Sequence, residues 1–136
     1  MIPKFRVWDK YNQNMFANDE LIIWNNNVYA NDSKKLSCNY LKGWSIDEEY
    51  LMQSTGLFDE NGVEIFEGDI LRVSDEHSWL EVVSYNQEKA MFVTEEINRE
   101  FKVPETPLYD LFNTNIFKFE IIGNIYENPE LLEVEE

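Results

Sequence analysis

Short apolar segments recur along this chain, and each of them ends at a cluster of turn-forming residues. Residues 4–9 alternate polar and apolar side chains, and a turn-like stretch separates them from Met15 and Phe16. This pattern predicts a hairpin, because successive side chains of a strand point to opposite faces of a sheet. Residues 21–24 and 28–30 flank three asparagines, which tolerate a left-handed backbone, and they predict a second hairpin.

The strongest turn signal lies at residues 59–62. Asp59 and Asn61 are turn formers, and Gly62 supplies the positive φ that closes a type I turn with a bulge. Strands should therefore run into Phe58 and out from Val63.

A second corner follows at Gly68 and Asp69. Three further strands are predicted beyond it, at residues 70–73, 79–85 and 90–93. Their regular spacing indicates a meander or a small barrel. Residues 95–115 are less regular and contain two prolines, so they predict a long excursion over the surface with a single helical turn at residues 109–112.

The end of the chain combines one long strand with a short helical turn. Residues 117–126 form the strand, and Gly123 marks a bulge or a close approach within it. Asn128 and Pro129 then have the pattern of an N-cap and a first helical position. Ser45 and Glu48 have the spacing of another capping box, although a strand through residues 50–53 fits that region equally well.

Composition and charge restrict the classes of protein that fit. Aromatic residues make up 15% of the 136 residues, enough to bury a core. The net charge of −16 is uneven, with six basic and four acidic side chains in residues 1–46 against five basic and 23 acidic in residues 47–136. So acidic a second part argues against direct DNA or RNA binding. No stretch approaches the about 20 apolar residues of a membrane span or resembles a signal peptide, so we expect a cytoplasmic protein.

The sequence offers no recognisable catalytic, cofactor or metal site. A lone Cys38 and a lone His77 have no motif that links them, and they are interpreted as a small apolar residue and a loop residue. The acidic cluster that begins at Asp59 lacks the glycine that a calcium loop needs at its sixth position, where Glu64 stands. It is interpreted as a hairpin turn with solvated carboxylates. The aromatics most suited to an interface, should they be exposed together, are Trp8, Trp24, Trp44 and Trp79.

Three stretches, taken together, resemble the YopX family, small proteins encoded by phages and prophages of Gram-positive bacteria. They are IPKFRVWD (2–9) with Met15, LMQSTGL (51–57) with Asp59, Asn61-Gly62 and EIFEGDI (64–70), and IIGNIYENPELL (121–132). The resemblance implies a mainly β protein with a minor α+β part. It implies a β-rich subdomain at residues 1–56 packed on a small β-barrel of the Src-homology-three type at residues 57–136. No catalytic or binding residue carries over from it.

The function expected from these features is that of a non-enzymatic interaction module in the cytoplasm of a bacterial host. We expect it to form homo-oligomers and to bind a host or phage protein, because catalytic motifs are absent and the uneven charge favours contacts between subunits. An acidic nucleic-acid mimic is the alternative, which basic side chains scattered over the same surface would disfavour. An enzyme requires a pocket that holds His77 or a carboxylate beside buried aromatics.

Overall fold

The computed structural model describes residues 2–31, 43–97 and 103–133, with the backbone alone at Asn31 and residues 43–45. The described residues are mainly β, as predicted. The strands are β1 (Phe5–Asp9), β2 (Asn14–Phe16), β3 (Leu21–Trp24), β4 (Asn27–Asn31), β5 (Gly43–Ile46), β6 (Leu51–Phe58), β7 (Glu64–Phe66), β8 (Asp69–Ser74), β9 (Ser78–Asn86), β10 (Met91–Glu96), β11 (Thr106–Pro107) and β12 (Lys118–Asn124). One short helix, α1 (Leu108–Asn113), stands among them.

The chain divides into two compact units, Met1–Ser54 and Thr55–Glu136. Strand β6 passes from one unit into the other. Its first residues pair with β1, where Leu51 lies opposite Val7, and it is bonded to β7 on its other side. The helices among the described residues are all too short or too polar to cross a bilayer.

The first unit contains both hairpins that its sequence predicts. Strands β1 and β2 pair with Val7 opposite Phe16, and β3 and β4 pair with Leu21 opposite Ala30. Asn25 and Asn26 form the two-residue turn between β3 and β4, with φ values of 50° and 64°. Positive φ at both positions is the type I′ geometry that matches the twist of the flanking strands. The core of this unit consists of Val7, Phe16, Val28, Ala30 and Ile46.

The turn before β6 differs from the prediction at Ser45. Ser45 lies in β5, opposite Tyr29 of β4, and its backbone belongs to that ladder. A 3₁₀ turn at Glu48–Tyr50 follows, and the Asp47 side chain caps it by accepting the Glu49 N–H at 3.2 Å. The predicted capping box at Ser45 is therefore wrong, because the carboxylate of Asp47 caps this turn instead.

The second unit is built on an antiparallel sheet with the order β11-β10-β9-β8-β12. Strands β8, β9 and β10 form the predicted meander, and Gly68 makes the predicted corner before β8 with a φ of 85°. The core of this unit consists of Ile65, Leu71, Val73, Val83, Leu108 and Phe119.

Residues 103–115 differ from the predicted surface excursion. Strand β11 pairs with β10, and α1 follows it at once. Leu108 is only 1% exposed within the core, and Leu111 and Phe112 pack against the same cluster. These three apolar side chains lie on one side of the short helix and hold residues 103–115 against the core of the second unit.

The sequence predicts a bulge or a close approach at Gly123, and the structure has both there. The register of β12 against β8 shifts between Ile121 and Gly123, which is a bulge. A Cβ on Gly123 would meet the Asn128 Oδ1 at 2.5 Å, so the side chain of Asn128 also approaches closely. That Oδ1 accepts the Asn124 N–H at 3.2 Å and does not cap the 3₁₀ turn Pro129–Leu132. Pro129 occupies the predicted first position, whereas side-chain capping by Asn128 is wrong.

Candidate functional site

Asp59 is a buried carboxylate whose oxygens accept backbone N–H groups. Its Oδ1 accepts from Asn61 and from Val63, each at 2.9 Å, and its Oδ2 accepts from Ile121 at 3.0 Å. Burial by itself raises the pKa of Asp59, but the three backbone donors together hold that pKa below its ordinary value. The carboxylate therefore joins the predicted hairpin turn to β12 and is not directed at a ligand.

Other predicted turn positions bond backbone groups in the turn that contains Asp59 and in the next turn along the chain. Gly62 has a φ of 79° and donates its N–H to the Asp59 carbonyl at 3.0 Å. The Gly68 N–H donates to the Val83 carbonyl at 2.8 Å. Asp69 is 1% exposed, and its Oδ2 accepts the Phe66 N–H at 2.8 Å. These residues position backbone in two adjoining turns of the second unit.

Asp9 is a buried carboxylate that sequence reasoning missed. It is 3% exposed, and its Oδ1 accepts from the N–H groups of Tyr11 and Asn12. The Asn12 Nδ2 donates to Asp9 Oδ2 at 2.8 Å. An aspartate at the start of a turn is the signal that could have identified it, because such side chains bond the backbone two or three residues ahead.

Glu81 is the buried glutamate of the described residues, and it also was missed. It is 5% exposed, and its Oε2 accepts the Trp79 Nε1–H at 3.0 Å. Burial raises the pKa of Glu81, and the carboxylate of Glu96, opposite it on β10, raises the pKa further. Its place in the alternation with Trp79 and Val83 was the available signal, since residues two apart share a face.

A small cavity of about 130 Å³ lies in the first unit. Its lining residues are Trp8, Asp9, Lys10, Tyr11, Asn12, Ile46, Asp47 and Tyr50. The Lys10 ammonium lies 5.2 Å from the Tyr11 ring centroid and 5.5 Å from that of Tyr50. A hydrogen bond with Tyr50, together with the two tyrosines, raises the pKa of Lys10. A lysine kept protonated in this way is a cation over aromatic rings and a poor nucleophile.

A wider groove of about 450 Å³ lies in the second unit. Its lining residues are mostly apolar: Thr55, Leu57, Met91, Phe92, Pro107, Leu108, Tyr109 and Asp110. Phe92 meets Tyr85 edge to face at 5.2 Å, and Tyr109 is largely exposed. Such a surface suits an apolar segment better than a reaction, because Asp110 is its one carboxylate.

The tryptophans occupy different environments. Trp8 is 5% exposed in the first unit, whereas Trp24 is 74% exposed at the end of β3. Trp79 is half-buried in the second unit and meets Phe117 edge to face at 5.3 Å. The Trp44 side chain lies outside the described part of the chain. Of the three described rings, that of Trp24 is the one open to a partner.

Strand β3, which ends at Trp24, is an edge strand. It is bonded to β4 on one side, and no strand in residues 2–31, 43–97 or 103–133 is paired with its other side. Ile23 is 47% exposed, and residues 21–27 contain no charged side chain. Natural edge strands usually carry a charge or a proline against unwanted pairing, and β3 carries neither.

The remaining sequence candidates do not assemble a reactive site. His77 is exposed in a turn, where its N–H donates to Asp75 Oδ1 at 2.8 Å. Cys38 lies outside the described residues. Within the described ranges, His, Cys, Asp and Glu side chains form no group of three or more that could hold a metal ion.

Basic side chains interrupt the acidic surface of the second unit. Arg72 lies 3.5 Å from Glu120, and Lys89 lies 3.4 Å from Glu105. Arg99 and Lys102 lie outside the described residues, and Lys118 is exposed. The interruptions weigh against a nucleic-acid mimic, which needs an unbroken row of carboxylates.

Comparison with known proteins bears on this arrangement. The model of the YopX protein family matches residues 4–133. The chain belongs to the YopX family. It is also similar to protein EF1440 from Enterococcus faecalis, a crystal structure with 30% identity and a TM-score of 0.57 that covers 98% of this chain and 99% of that one. No curated protein matches the chain. The predicted family is thus confirmed, and the names of these relatives state no activity.

Proposed function

We propose that this YopX-family protein is a non-enzymatic interaction module, encoded by a phage or prophage and acting in the cytoplasm of the bacterial host. It associates with itself and presents further surface to a host or phage protein. The observation that carries the proposal is the uncharged edge strand β3, with Ile23 and Trp24 exposed. An edge strand without protecting charges is best tolerated in a protein whose binding partner covers that edge.

The use of the buried carboxylates supports a binding role over a catalytic one. Asp9 and Asp59 each accept two or more hydrogen bonds from backbone N–H groups, and Glu81 accepts one from Trp79. Asp9 lines the cavity of about 130 Å³, but both of its oxygens already accept hydrogen bonds, whereas a catalytic acid or base needs an oxygen that is open to substrate. The apolar groove beside Phe92 and Tyr109 gives the second unit its own surface for a protein partner.

We further propose that the second unit is a small barrel of the Src-homology-three type. The β8-β9-β10 meander, with β12 paired to the free side of β8, supports this architecture. Small barrels of this kind hold their loops on a rigid sheet, which is a common arrangement for binding.

The test is the solution mass of the full chain, measured by light scattering and sedimentation over a range of protein and salt concentrations. We expect a mass above that of the 16.2 kDa monomer that rises with protein concentration. A mass that falls as salt rises would indicate contacts driven by the uneven charge, whereas one that holds or rises would indicate the apolar edge. A sharp monomer under every condition would refute self-association.

A further inference from the structure

We propose that the apolar groove of the second unit binds a short segment of a host or phage protein in which an apolar side chain lies next to an arginine or a lysine. The groove is the one of about 450 Å³ described above, and all of its lining residues belong to the unit Thr55–Glu136. This inference rests on the binding function proposed above and names the chemistry of the partner at this surface.

The groove exists because strand β11 is too short to cover the whole of β10. Strand β11 pairs with β10 only at Val93 and Thr94, and α1 begins directly after Pro107. Proline has no N–H to continue a ladder, and the chain leaves the sheet at that point. Among the described residues, Met91 and Phe92 pair with β9 on one side and have no strand on the other. This end of β10 therefore lies open, and its two apolar side chains line the groove.

The lining of the groove has a buried floor and an exposed aromatic rim. Leu108 is buried at the floor, whereas Tyr109, the next residue, is largely exposed at the rim. Tyr85 is also exposed and extends the aromatic surface, because its ring meets that of Phe92 edge to face. Exposed tyrosines give a partner a large contact area at a small cost in side-chain entropy. The open rim suits a chain segment that continues beyond the groove better than a small molecule, which binds best when it is largely enclosed.

Asp110 supplies a negative charge among the lining residues. It is exposed in the first turn of α1, and its carboxylate has neither an ion pair nor a hydrogen bond in the part of the chain that the structure describes. A guanidinium or an ammonium of the partner can pair with this carboxylate while a neighbouring apolar side chain enters the groove. An exposed ion pair is weak, so it selects which segments bind and leaves most of the affinity to the apolar contact.

The charge of the whole second unit also favours a cationic segment. Residues 55–136 contain 20 acidic and five basic side chains, a net charge of −15. Of the basic residues that the structure describes in this unit, Lys89 and Arg72 already form ion pairs, and Lys118 lies on β12, at the opposite edge of the sheet from β11. The field of this unit attracts a cationic segment and repels a second copy of an acidic chain, so the partner at the groove is a different protein.

The first experiment is the selection of a displayed library of random short peptides on the full chain. We expect the enriched peptides to carry an arginine or a lysine next to an apolar residue. Tyr109→Ala removes an exposed ring of the rim and should not enrich the same peptides. The matched control is Phe58→Ala, at another exposed aromatic residue of this unit that does not line the groove, and it should still enrich them. Failure to enrich any peptide, or enrichment of acidic ones, would refute the inference.

The second experiment measures the affinity of the most enriched peptide by fluorescence anisotropy. Tyr109→Ala should weaken binding at least about tenfold, because it removes an aromatic contact. Asp110→Asn should weaken binding about threefold and make it less sensitive to salt, because it removes one charge pair. Glu76→Gln, at an exposed carboxylate between β8 and β9, is the charge control and should change neither property. The urea midpoint of each variant is the check that it is folded.

The methionine methyl groups report where the peptide binds. In a chain with isotopically labelled methionine methyl groups, the NMR signal of Met91 should shift when the peptide is added. The signal of Met52, which is buried in the first unit, should stay in place.

The outcomes separate this inference from the function on which it rests. Peptide binding that both groove variants leave unchanged, with no shift of Met91, refutes the groove and leaves a binding function in place. Groove variants that abolish self-association of the full chain make a second copy the occupant, and they also refute the inference. A chain that enriches no peptide and is a monomer at every concentration refutes both the inference and the proposed function.

Discussion

The Asp59 carboxylate accepts the backbone N–H of Ile121, a residue 62 positions further along the chain, at 3.0 Å. The Glu60 N–H also donates to the Phe119 carbonyl at 2.8 Å. The tip of the β6-β7 hairpin is therefore bound to β12 just before the bulge at Gly123. A turn that was recognised from local sequence thus also joins distant parts of the second unit.

Replacement of Asp59 should destabilise the protein strongly. Asp59→Ala leaves three part-buried hydrogen bonds from backbone N–H groups without their acceptor, and we expect a loss of about 2 kcal/mol in the free energy of unfolding. Urea denaturation followed by fluorescence measures this. Glu60→Ala, at the exposed neighbouring position, is the control and should change stability by less than about 0.5 kcal/mol. Equal effects of the two substitutions would contradict this role of Asp59.

The Asp59 carboxylate should also make the free energy of unfolding decrease in acid. The pKa of Asp59 is lower in the folded chain than its ordinary value, so the folded state favours the ionised form. Its contribution is complete above the unfolded pKa of about 3.9 and is lost as pH falls through the folded pKa. The urea midpoint of the wild type should decline more steeply below about pH 4 than that of Asp59→Asn. Parallel curves would show that another group is responsible.

Glu81 should have the opposite dependence on pH. The pKa of Glu81 is raised by burial, so folding favours its neutral form. The neutral form of Glu81 contributes its full stabilisation below the ordinary pKa of a glutamate. That stabilisation is lost as pH rises through the pKa of Glu81 in the folded chain. Glu81→Gln keeps an oxygen for the Trp79 Nε1–H and should gain stability relative to the wild type as pH rises above the ordinary glutamate pKa of about 4.3. The exposed Glu88→Gln is the control and should show no such trend.

Gly123 should be intolerant of a side chain because of Asn128. A Cβ at Gly123 would lie 2.6 Å from the Asn128 Cγ and 2.9 Å from its Cβ, so Gly123→Ala should cost about 1–3 kcal/mol. The loss should be smaller when Asn128→Gly removes the crowded side chain first. A double-mutant cycle by urea denaturation measures this coupling. Strictly additive losses would show that the two residues do not interfere.

The segment that begins at residue 103 should be part of the folded core. Leu108→Ala removes a side chain that is 1% exposed, and we expect a loss of about 2–5 kcal/mol. Tyr109→Ala is the matched control, because the neighbouring side chain is 68% exposed and should cost little. Thermal unfolding compares the two variants. A similar melting temperature for both would indicate that α1 lies loosely on the surface.

Local chemistry allowed much of the strand order to be predicted from the sequence. Asn25 and Asn26 adopt the positive φ that their hairpin requires, and Gly62 and Gly68 do the same at later corners. These residues act within four or five positions, so their effect can be recognised without knowledge of distant neighbours. The bulge at Gly123 was recognised for the same reason.

The candidate surface was only partly visible in the sequence. Trp24 was one of four tryptophans with equal claims to an interface, and it is 74% exposed because it lies on the face of β3 opposite to Leu21, which packs against the core of the first unit. Trp8 has a similar hairpin context but is 5% exposed. Sequence alternation says which residues share a face, but not whether another element covers that face.

By itself, the sequence determined where this chain turns, that its segments are strands, and that its charge lies mainly beyond residue 46. Only the tertiary structure decided that Leu108 is core, that Asp59 reaches Ile121, and that β3 is left at an edge. The physical reason is range. Turn preferences are a property of a few adjacent residues, whereas burial and edge positions depend on which distant strands meet.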